Sequence, residues 1–367
     1  MTTDVAVAHE HYNRRGGGEI VAEEIAQTFD APIYTSFINA DALPKTRDIE
    51  IYDLFGSGVS GTIIKRNNLA SILLRRIYYS FAWEYVEELH NYDIIIQTGN
   101  SPSWYVPKDD QIIIKYCQIL PRTAYTQFQK KPSGLLRRIY AKISRAHYQQ
   151  TLSYPDIYIA NSDLVARQIQ LYWGINTEKL EIIYPPVKLD NYSYQDKADF
   201  YLVLNRLVPD KRINEAVDAF SRLPNKKLII AGEGPERTRL ERNAPENVEF
   251  KGWVSEEEKQ DLLGRAKALI FSSENEEFGI PPVEALASGT PVIGIKDGFT
   301  RYQIEDGITG LLYERGAGNL ANVVEQFDNH GVEATPKKLR KEAAHYSVEN
   351  FRERIREVVD KTHQKTV

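Results

Sequence analysis

The chain has 367 residues, 42% of them hydrophobic and 26% charged, the make-up of a soluble globular protein with material for two cores rather than one. A formal net charge of −5 argues against nucleic-acid binding by the whole chain, and the single Cys117 excludes an intrachain disulfide and a Cys-cluster metal site. No run reaches the ~18 apolar residues of a membrane-spanning helix, and the opening MTTDVAVAHEH lacks the basic and apolar regions of a signal peptide, so a cytoplasmic protein is expected.

In chain order, Val5 to Ala8 is a first apolar strand, Arg14-Arg15-Gly16-Gly17-Gly18 a loop, and Glu19 to Phe29 a helix with Ile20, Ile25 and Phe29 apolar. Short apolar runs follow at Ile33 to Phe37, Ile49 to Tyr52, Asp93 to Ile96, Ile112 to Ile114, Ile157 to Ala160 and Leu180 to Ile183. Continuous rather than alternating apolar runs suit a parallel sheet covered on both faces. Tyr184-Pro185-Pro186 breaks the pattern, and the polar, tyrosine-rich segment from Asp190 to Asp199 reads as a linker.

A second cycle opens with the strand Phe200 to Leu204. It continues through a helix from Ile213 to Leu223, strands Lys227 to Ala231 and Val248 to Lys251, a helix from Ser255 to Arg265 and a strand from Ala268 to Phe271. Phe278-Gly279-Ile280-Pro281-Pro282 reads as a tight turn, Glu284 to Ser288 as a short helix and Pro291 to Ile295 as a buried strand. Two successive βα series predict an α/β fold of two doubly wound, Rossmann-like domains facing one another across a cleft. The expected boundaries are 1–187 and 188–346, with a last helix over 347–363 that could pack back on the first domain or on the second.

Ligands of such sheets sit at the carboxyl ends of strands, so the loops there are the places to look. Glycines 16, 17 and 18 would let backbone approach a ligand at a helix N-terminus, although a lone glycine triplet is as often only a flexible turn. Arg206 and Lys211 follow the strand Phe200 to Leu204, where a planar fork and a point charge could clamp a diphosphate; charges in a loop are more often merely solvated. Asn161 or Ser162 is most simply a helix N-cap. Glu276 and Glu284 flank the Phe278 to Pro282 turn, whose N–H groups could meet a phosphate while a carboxylate takes ribose hydroxyls. An acid near a helix start is stabilised there in any case. Neither a G-x-G-x-x-G fingerprint nor a P-loop is present.

Taken together, Glu276-x7-Glu284 within FGIPPVEALASGTPVI, Asn205-Arg206-Leu207 with Lys211-Arg212, the AGEGP turn at 231 to 235 and the RGGGE loop at 15 to 19 resemble the retaining glycosyltransferases of family 4, with the GT-B fold. The segments VAHEHYNRRGGGEIVAEEI and YCQILPRTAY are similar to a mannosyltransferase-like subgroup of that family. The resemblance implies a metal-independent enzyme that moves a hexose, mannose in the first instance, from a nucleotide-diphosphate sugar to a glycan or lipid-linked acceptor. GDP-mannose is the implied donor, UDP-sugars the next, and no cofactor is required.

Residue by residue, the resemblance gives Arg206 and Lys211 the donor diphosphate and the charge that develops on it, and Glu276 the donor sugar. It gives Glu284 the ribose hydroxyls, Phe278, Gly279 and Ile280 backbone contacts to phosphate and sugar, and Val254 the base. Gly16, Gly17 and Gly18 would approach the diphosphate from the first domain. Gln118 stands where relatives often carry a histidine; it can hydrogen-bond a sugar hydroxyl but cannot titrate near neutral pH, so a general base there is excluded. His9 and Gln118 are candidate sugar or acceptor contacts.

Residues 60 to 150 hold 13 Lys or Arg against 6 Asp or Glu. The stretches 63–85 and 137–145 interleave those cations with aromatic and apolar side chains, a pattern that fits peripheral contact with an anionic membrane on its cytoplasmic face, or equally a solvated basic helix face. Two other readings stay open: a sugar-nucleotide epimerase of the same fold, and a non-catalytic binding protein.

Overall fold

The computed structural model describes residues 4–12, 16–43, 48–55, 78–79, 81–121, 124–125 and 135–366. The chain divides into two compact units, Met1–Pro186 with Phe351–Val367, and Val187–Asn350. Each has its own parallel sheet.

In the first unit the strands are β1 (Val5–His9), β2 (Ile33–Thr35), β3 (Ile51–Asp53), β4 (Ile94–Thr98), β5 (Ile112–Cys117), β6 (Ile157–Ala160) and β7 (Leu180–Ile182), in the spatial order β3-β2-β1-β4-β5-β6-β7. Its helices include α1 (Gly17–Phe29), α2 (Leu135–Thr151) and α3 (Asp163–Trp173). The continuous apolar runs are explained by burial on both faces. Ile94 and Ile96 pack with Val5, Val7, Val21 and Ile25 on one side, while Ile95 and Ile113 pack with Ala6, Ala8 and Trp83 on the other. Each such isoleucine or valine contributes ~1.5–3 kcal/mol relative to exposure. Trp83 is satisfied at its polar end, Nε1 donating to Ser36 Oγ at 2.7 Å.

The second unit runs β8 (Tyr201–Leu204), α4 (Ile213–Phe220), β9 (Leu228–Ala231), α5 (Arg237–Arg242), β10 (Val248–Gly252), α6 (Glu256–Arg265), β11 (Leu269–Phe271), α7 (Ile280–Ala287), β12 (Val292–Ile295), α8 (Thr300–Gln303), β13 (Gly310–Tyr313), α9 (Ala317–His330) and α10 (Pro336–Ala343), with strand order β10-β9-β8-β11-β12-β13. The final helix, α11 (Val348–Thr366), buries Phe351, Ile355, Val358 and Val359 in the core of the first unit. Arg352 there pairs with the buried Glu24 of α1 at 2.5 Å.

Strand order reverses between β1 and β4 in one sheet and between β8 and β11 in the other. These are topological switch points, where the loops leaving adjacent strands diverge and open a crevice for a ligand. The glycine loop follows β1. Arg206 and Lys211 follow β8, and Glu276 follows β11.

The structure differs from the sequence expectations in several places. Pro281 and Pro282 are not part of a turn; they open α7, where their missing N–H groups cost nothing because first-turn donors have no intrahelical partner. The turn ends at Gly279, at φ 84. Glu284 therefore lies in the second turn of α7, not at its start, and the helix macrodipole gives it little. Residues 296–346 carry no element in the sequence reading, yet α8, β13, α9 and α10 lie there. The segment read as a linker packs inside the second unit: Tyr192 is buried, and Lys197 Nζ donates to Gly264 O and Thr290 Oγ1 at 2.9 and 2.5 Å.

Of the basic stretch 63–85, only 78–79 and 81–85 are described, so the membrane-contact expectation lies largely outside the described residues. Within 137–145, Arg145 is engaged internally, Nε donating to Ala124 O at 2.5 Å and the guanidinium 5.7 Å from the Tyr125 ring. Among the described residues no helix is long and apolar enough to cross a membrane.

Candidate functional site

The loops after β8 and β11 are stitched together by backbone and side chain. Asn205 Nδ2 donates to Ser273 Oγ at 3.1 Å, Ser272 Oγ to Lys211 O at 2.9 Å, and Glu274 N to Asp210 O at 2.8 Å. The stitching ends in an ion pair, Lys211 Nζ to Glu276 Oε2 at 2.5 Å, with side chains only 10% and 16% exposed. Two residues named from the sequence as diphosphate and sugar contacts are thus direct partners at the switch point of the second sheet. Arg206 is exposed and its guanidinium takes no partner among the described residues.

A second layer holds the Glu276 loop. Arg315, just after β13, donates from Nη1 to Glu215 Oε2 at 2.7 Å and to Ser272 O at 2.9 Å, and Nη2 stands 3.4 Å from Asp297 Oδ2. Asp297 accepts from Asn275 N at 3.1 Å, which fixes Asn275 at its positive φ of 47. Phe299 N donates to Glu276 O at 2.8 Å. Burial disfavours the Arg315 cation, and Glu215 more than offsets this, so the guanidinium is held above its ordinary range. None of Glu215, Asp297 and Arg315 was singled out from sequence; they come from three separated segments with no shared spacing.

Glu284 is 7% exposed and bound twice on one oxygen. Tyr192 OH donates to Oε1 at 2.6 Å and Lys259 Nζ donates to the same atom at 2.8 Å. Burial raises the Tyr192 phenol, and Glu284 raises it further. Burial works against the Lys259 ammonium, but Glu284 and Glu256 hold it above the usual lysine range. Phe278 is buried, stacked on Phe299 with centroids 5.7 Å apart, so its side chain anchors the turn. Gly279 and Ile280 present backbone N–H groups that no described residue engages, whereas Pro281 and Pro282 have none to offer. Val254 is half-buried in the loop before α6, beside Trp253, which is 76% exposed.

In the first unit, Gly16, Gly17 and Gly18 stand at the entry to α1. The Glu19 carboxylate already accepts from Gly16 N at 2.9 Å, and burial raises its pKa. Gln118 Nε2 donates to Gly18 O at 3.3 Å, and a Cβ on Gly18 would come within 2.8 Å of Gln118 Oε1. The structure thus brings Gln118 against the glycine loop. Arg14 and Arg15 of that loop lie outside the described residues. His9 is buried at the end of β1, its Nδ1 2.7 Å from Thr98 Oγ1 and its Nε2 without a partner among the described residues. Burial, then the neighbouring His11, pushes it down to about 3, so the imidazole is neutral at physiological pH.

With that geometry in hand, comparison with known proteins gives two adjoining matches. Residues 15–191 match the family described as Glycosyltransferase Family 4, and residues 190–346 match Glycosyl transferases group 1. Among curated proteins the chain is 26% identical over 225 residues to D-inositol 3-phosphate glycosyltransferase of Mycobacterium sp. strain KMS, covering 54% of this chain and 50% of that one. It is 29% identical over 149 residues to the lipopolysaccharide core biosynthesis glycosyltransferase LpsE of Rhizobium meliloti, covering 38% of this chain and 43% of that one. The chain spans about half the length of the curated relatives it matches. Among solved structures, HepE of Anabaena in complex with UDP-glucose superposes with a TM-score of 0.74 at 16% identity, over 97% of this chain and 99% of that one. Sucrose-phosphate synthase of Thermosynechococcus elongatus gives 0.78 at 16%, over 99% and 100%. At such identities the likeness establishes the fold: two parallel Rossmann-like sheets of GT-B type.

Proposed function

We propose that this chain, built of a Family 4 glycosyltransferase domain followed by a group 1 glycosyltransferase domain, moves a sugar from a nucleotide-diphosphate donor to a glycan or lipid-linked acceptor. The observation that carries the reading is the Lys211–Glu276 pair at the switch point of the second sheet. A lysine ammonium beside a carboxylate in a mostly dry loop is preorganised: the cation can turn to a phosphoryl oxygen while the carboxylate accepts from sugar hydroxyls. Arg206, exposed and unpaired among the described residues, adds a second cation.

In this mechanism the bond from the donor sugar C1 to the β-phosphate oxygen breaks, and negative charge grows on the leaving diphosphate. Lys211 and Arg206 stabilise that charge in place of a metal ion. The acceptor hydroxyl oxygen bonds to C1 on the face the diphosphate leaves, its proton passes to the leaving phosphate oxygen, and the anomeric configuration is retained. Gln118 has no proton to exchange in this range, and a neutral His9 contributes at most a hydrogen bond. We take the transferred sugar as a hexose, with GDP-mannose as first donor from the resemblance of the N-terminal segments. The likeness to a structure holding UDP-glucose makes UDP-hexoses the alternative.

The test is turnover of GDP-mannose and of UDP-hexoses with EDTA present, read as nucleoside diphosphate released and as the anomeric configuration of the product by NMR. A glycoside that keeps the donor configuration supports the reading. An inverted glycoside overturns the retaining mechanism, and an epimerised sugar without transfer replaces the reading with that of an epimerase.

A further inference from the structure

Glu284 uses one carboxylate oxygen and leaves the other open. Tyr192 OH and Lys259 Nζ, from different parts of the second unit, both donate to Oε1, at 2.6 and 2.8 Å. Oε2 takes no hydrogen bond from any described residue. A buried carboxylate needs paired charge and hydrogen bonds to remain an anion, and an ammonium plus a phenol supply both on one side only.

The two donors are themselves fixed. Arg340 Nη1 donates to Tyr192 O at 2.7 Å and to Ala287 O, the last residue of α7, at 2.8 Å. Lys259 stands on α6, its Nζ 5.7 Å from the Tyr192 ring and 2.7 Å from Glu256 Oε2. Tyr192, Lys259 and Arg340 therefore immobilise the helix and the rotamer of the carboxylate together.

We propose that Tyr192 and Lys259 are positioning residues: they commit Oε1 of Glu284 to the protein and leave Oε2, with its lone pairs intact, to accept from the vicinal 2′ and 3′ hydroxyls of the donor ribose. This rests on the reading of Glu284 as the ribose holder and adds how the site tells a ribonucleotide from a deoxyribonucleotide. A donor lacking a hydroxyl leaves a desolvated carboxylate oxygen unsatisfied, which is the costly side of hydrogen-bond loss.

The experiment is calorimetric titration of the full chain with GDP and UDP and with their 2′-deoxy and 3′-deoxy forms. Wild type, Glu284→Gln, Lys259→Met and Tyr192→Phe are compared. Wild type should bind the ribonucleotide about 10- to 100-fold more tightly than its deoxy forms, from one hydrogen bond to a charged group. Tyr192→Phe, the mildest change, should shrink that ratio about three- to tenfold by weakening the ribonucleotide while leaving the deoxy forms nearly unchanged. Equal weakening of ribo and deoxy forms by Tyr192→Phe would show a merely structural tyrosine and overturn the proposal, even if Lys259→Met fails to fold. If Glu284→Gln leaves the ratio untouched, or if wild type binds neither nucleotide, the ribose reading of Glu284 falls first and takes the inference with it.

Discussion

Lys211 and Glu276, 65 positions apart in the chain, meet at 2.5 Å where the loops leaving β8 and β11 diverge. Lys211 ends a single 3-10 turn, Pro209–Lys211, while Glu276 lies in a loop, and each is also held from across the site. Lys211 is held by Ser272 through its carbonyl, and Glu276 by Phe299 through its own. The pair satisfies itself without ligand, so a diphosphate that draws Lys211 away must offer the cation at least as much.

That coupling is measurable. Lys211→Met leaves a carboxylate largely enclosed and unpaired, and Glu276→Gln does the same for the ammonium; each should cost about 3 kcal/mol. The double variant should cost clearly less than the sum of the singles. A double-mutant cycle by denaturant unfolding checks it, and strict additivity would show no interaction between the two side chains.

Arg315 should matter to the Glu276 loop without touching a ligand. Arg315→Met takes the guanidinium from Glu215, whose side chain is 7% exposed and keeps the Gly316 N–H at 2.6 Å, and releases Ser272 and Asp297. Loss of about 3 kcal/mol in stability is expected, with donor turnover falling as the loop loosens. Pairing it with Glu215→Gln should restore part of the stability but not the turnover. Full recovery of turnover in the double variant would argue against Arg315 as a loop anchor.

Gly234 lies against the backbone of Leu207, and a Cβ there would overlap its carbonyl. Gly234→Ala should push the segment carrying Arg206 out of place at a cost of about 1–3 kcal/mol and weaken nucleotide binding. Gly331, at φ 65 with open space around it, is the control: Gly331→Ala carries backbone strain but leaves binding unchanged. Titration of both variants with GDP and UDP decides whether contact rather than strain is responsible.

His9 gives a pH signature. Its folded-state value, pushed down to about 3 by burial first and His11 next, lies below the ordinary 6.5. Between those values the unfolded chain binds a proton that the folded chain refuses. Stability is therefore intact above about pH 6.5 and falls as pH drops toward about 3, by ~1.4 kcal/mol per unit. His9→Gln should flatten the stability curve by about one proton between pH 6 and pH 4.5, roughly the middle of that window. An unchanged slope would mean the imidazole is protonated in the folded protein.

How much could be read from the chain alone follows from what kind of signal each feature leaves. Apart from β13, the strands of both sheets announced themselves, because burial on both faces forces runs such as Ile94-Ile95-Ile96. α9 also left a signal, Leu320, Val324 and Phe327 at helical spacing, but it sits among polar residues and the short strand β13 before it shows no period. The prolines at 281 and 282 misled because Pro punctuates turns and helix starts alike. Glu276 and Lys211 stood out by spacing and loop position. Tyr192 and Arg315 could not, since their importance is a contact across 92 and 43 positions respectively, to Glu284 and Ser272, and no local pattern encodes it.

If Lys211 supplies charge to the leaving diphosphate, removing its ammonium must slow release of that diphosphate. The most direct measurement is the rate of nucleoside diphosphate release from the preferred sugar nucleotide by wild type, Lys211→Ala and the control Lys296→Ala, an exposed lysine 3.6 Å from Glu314. A loss of about 10²-fold or more in kcat is expected for Lys211→Ala and none for the control. A folded Lys211→Ala protein that turns over at the wild-type rate would contradict it.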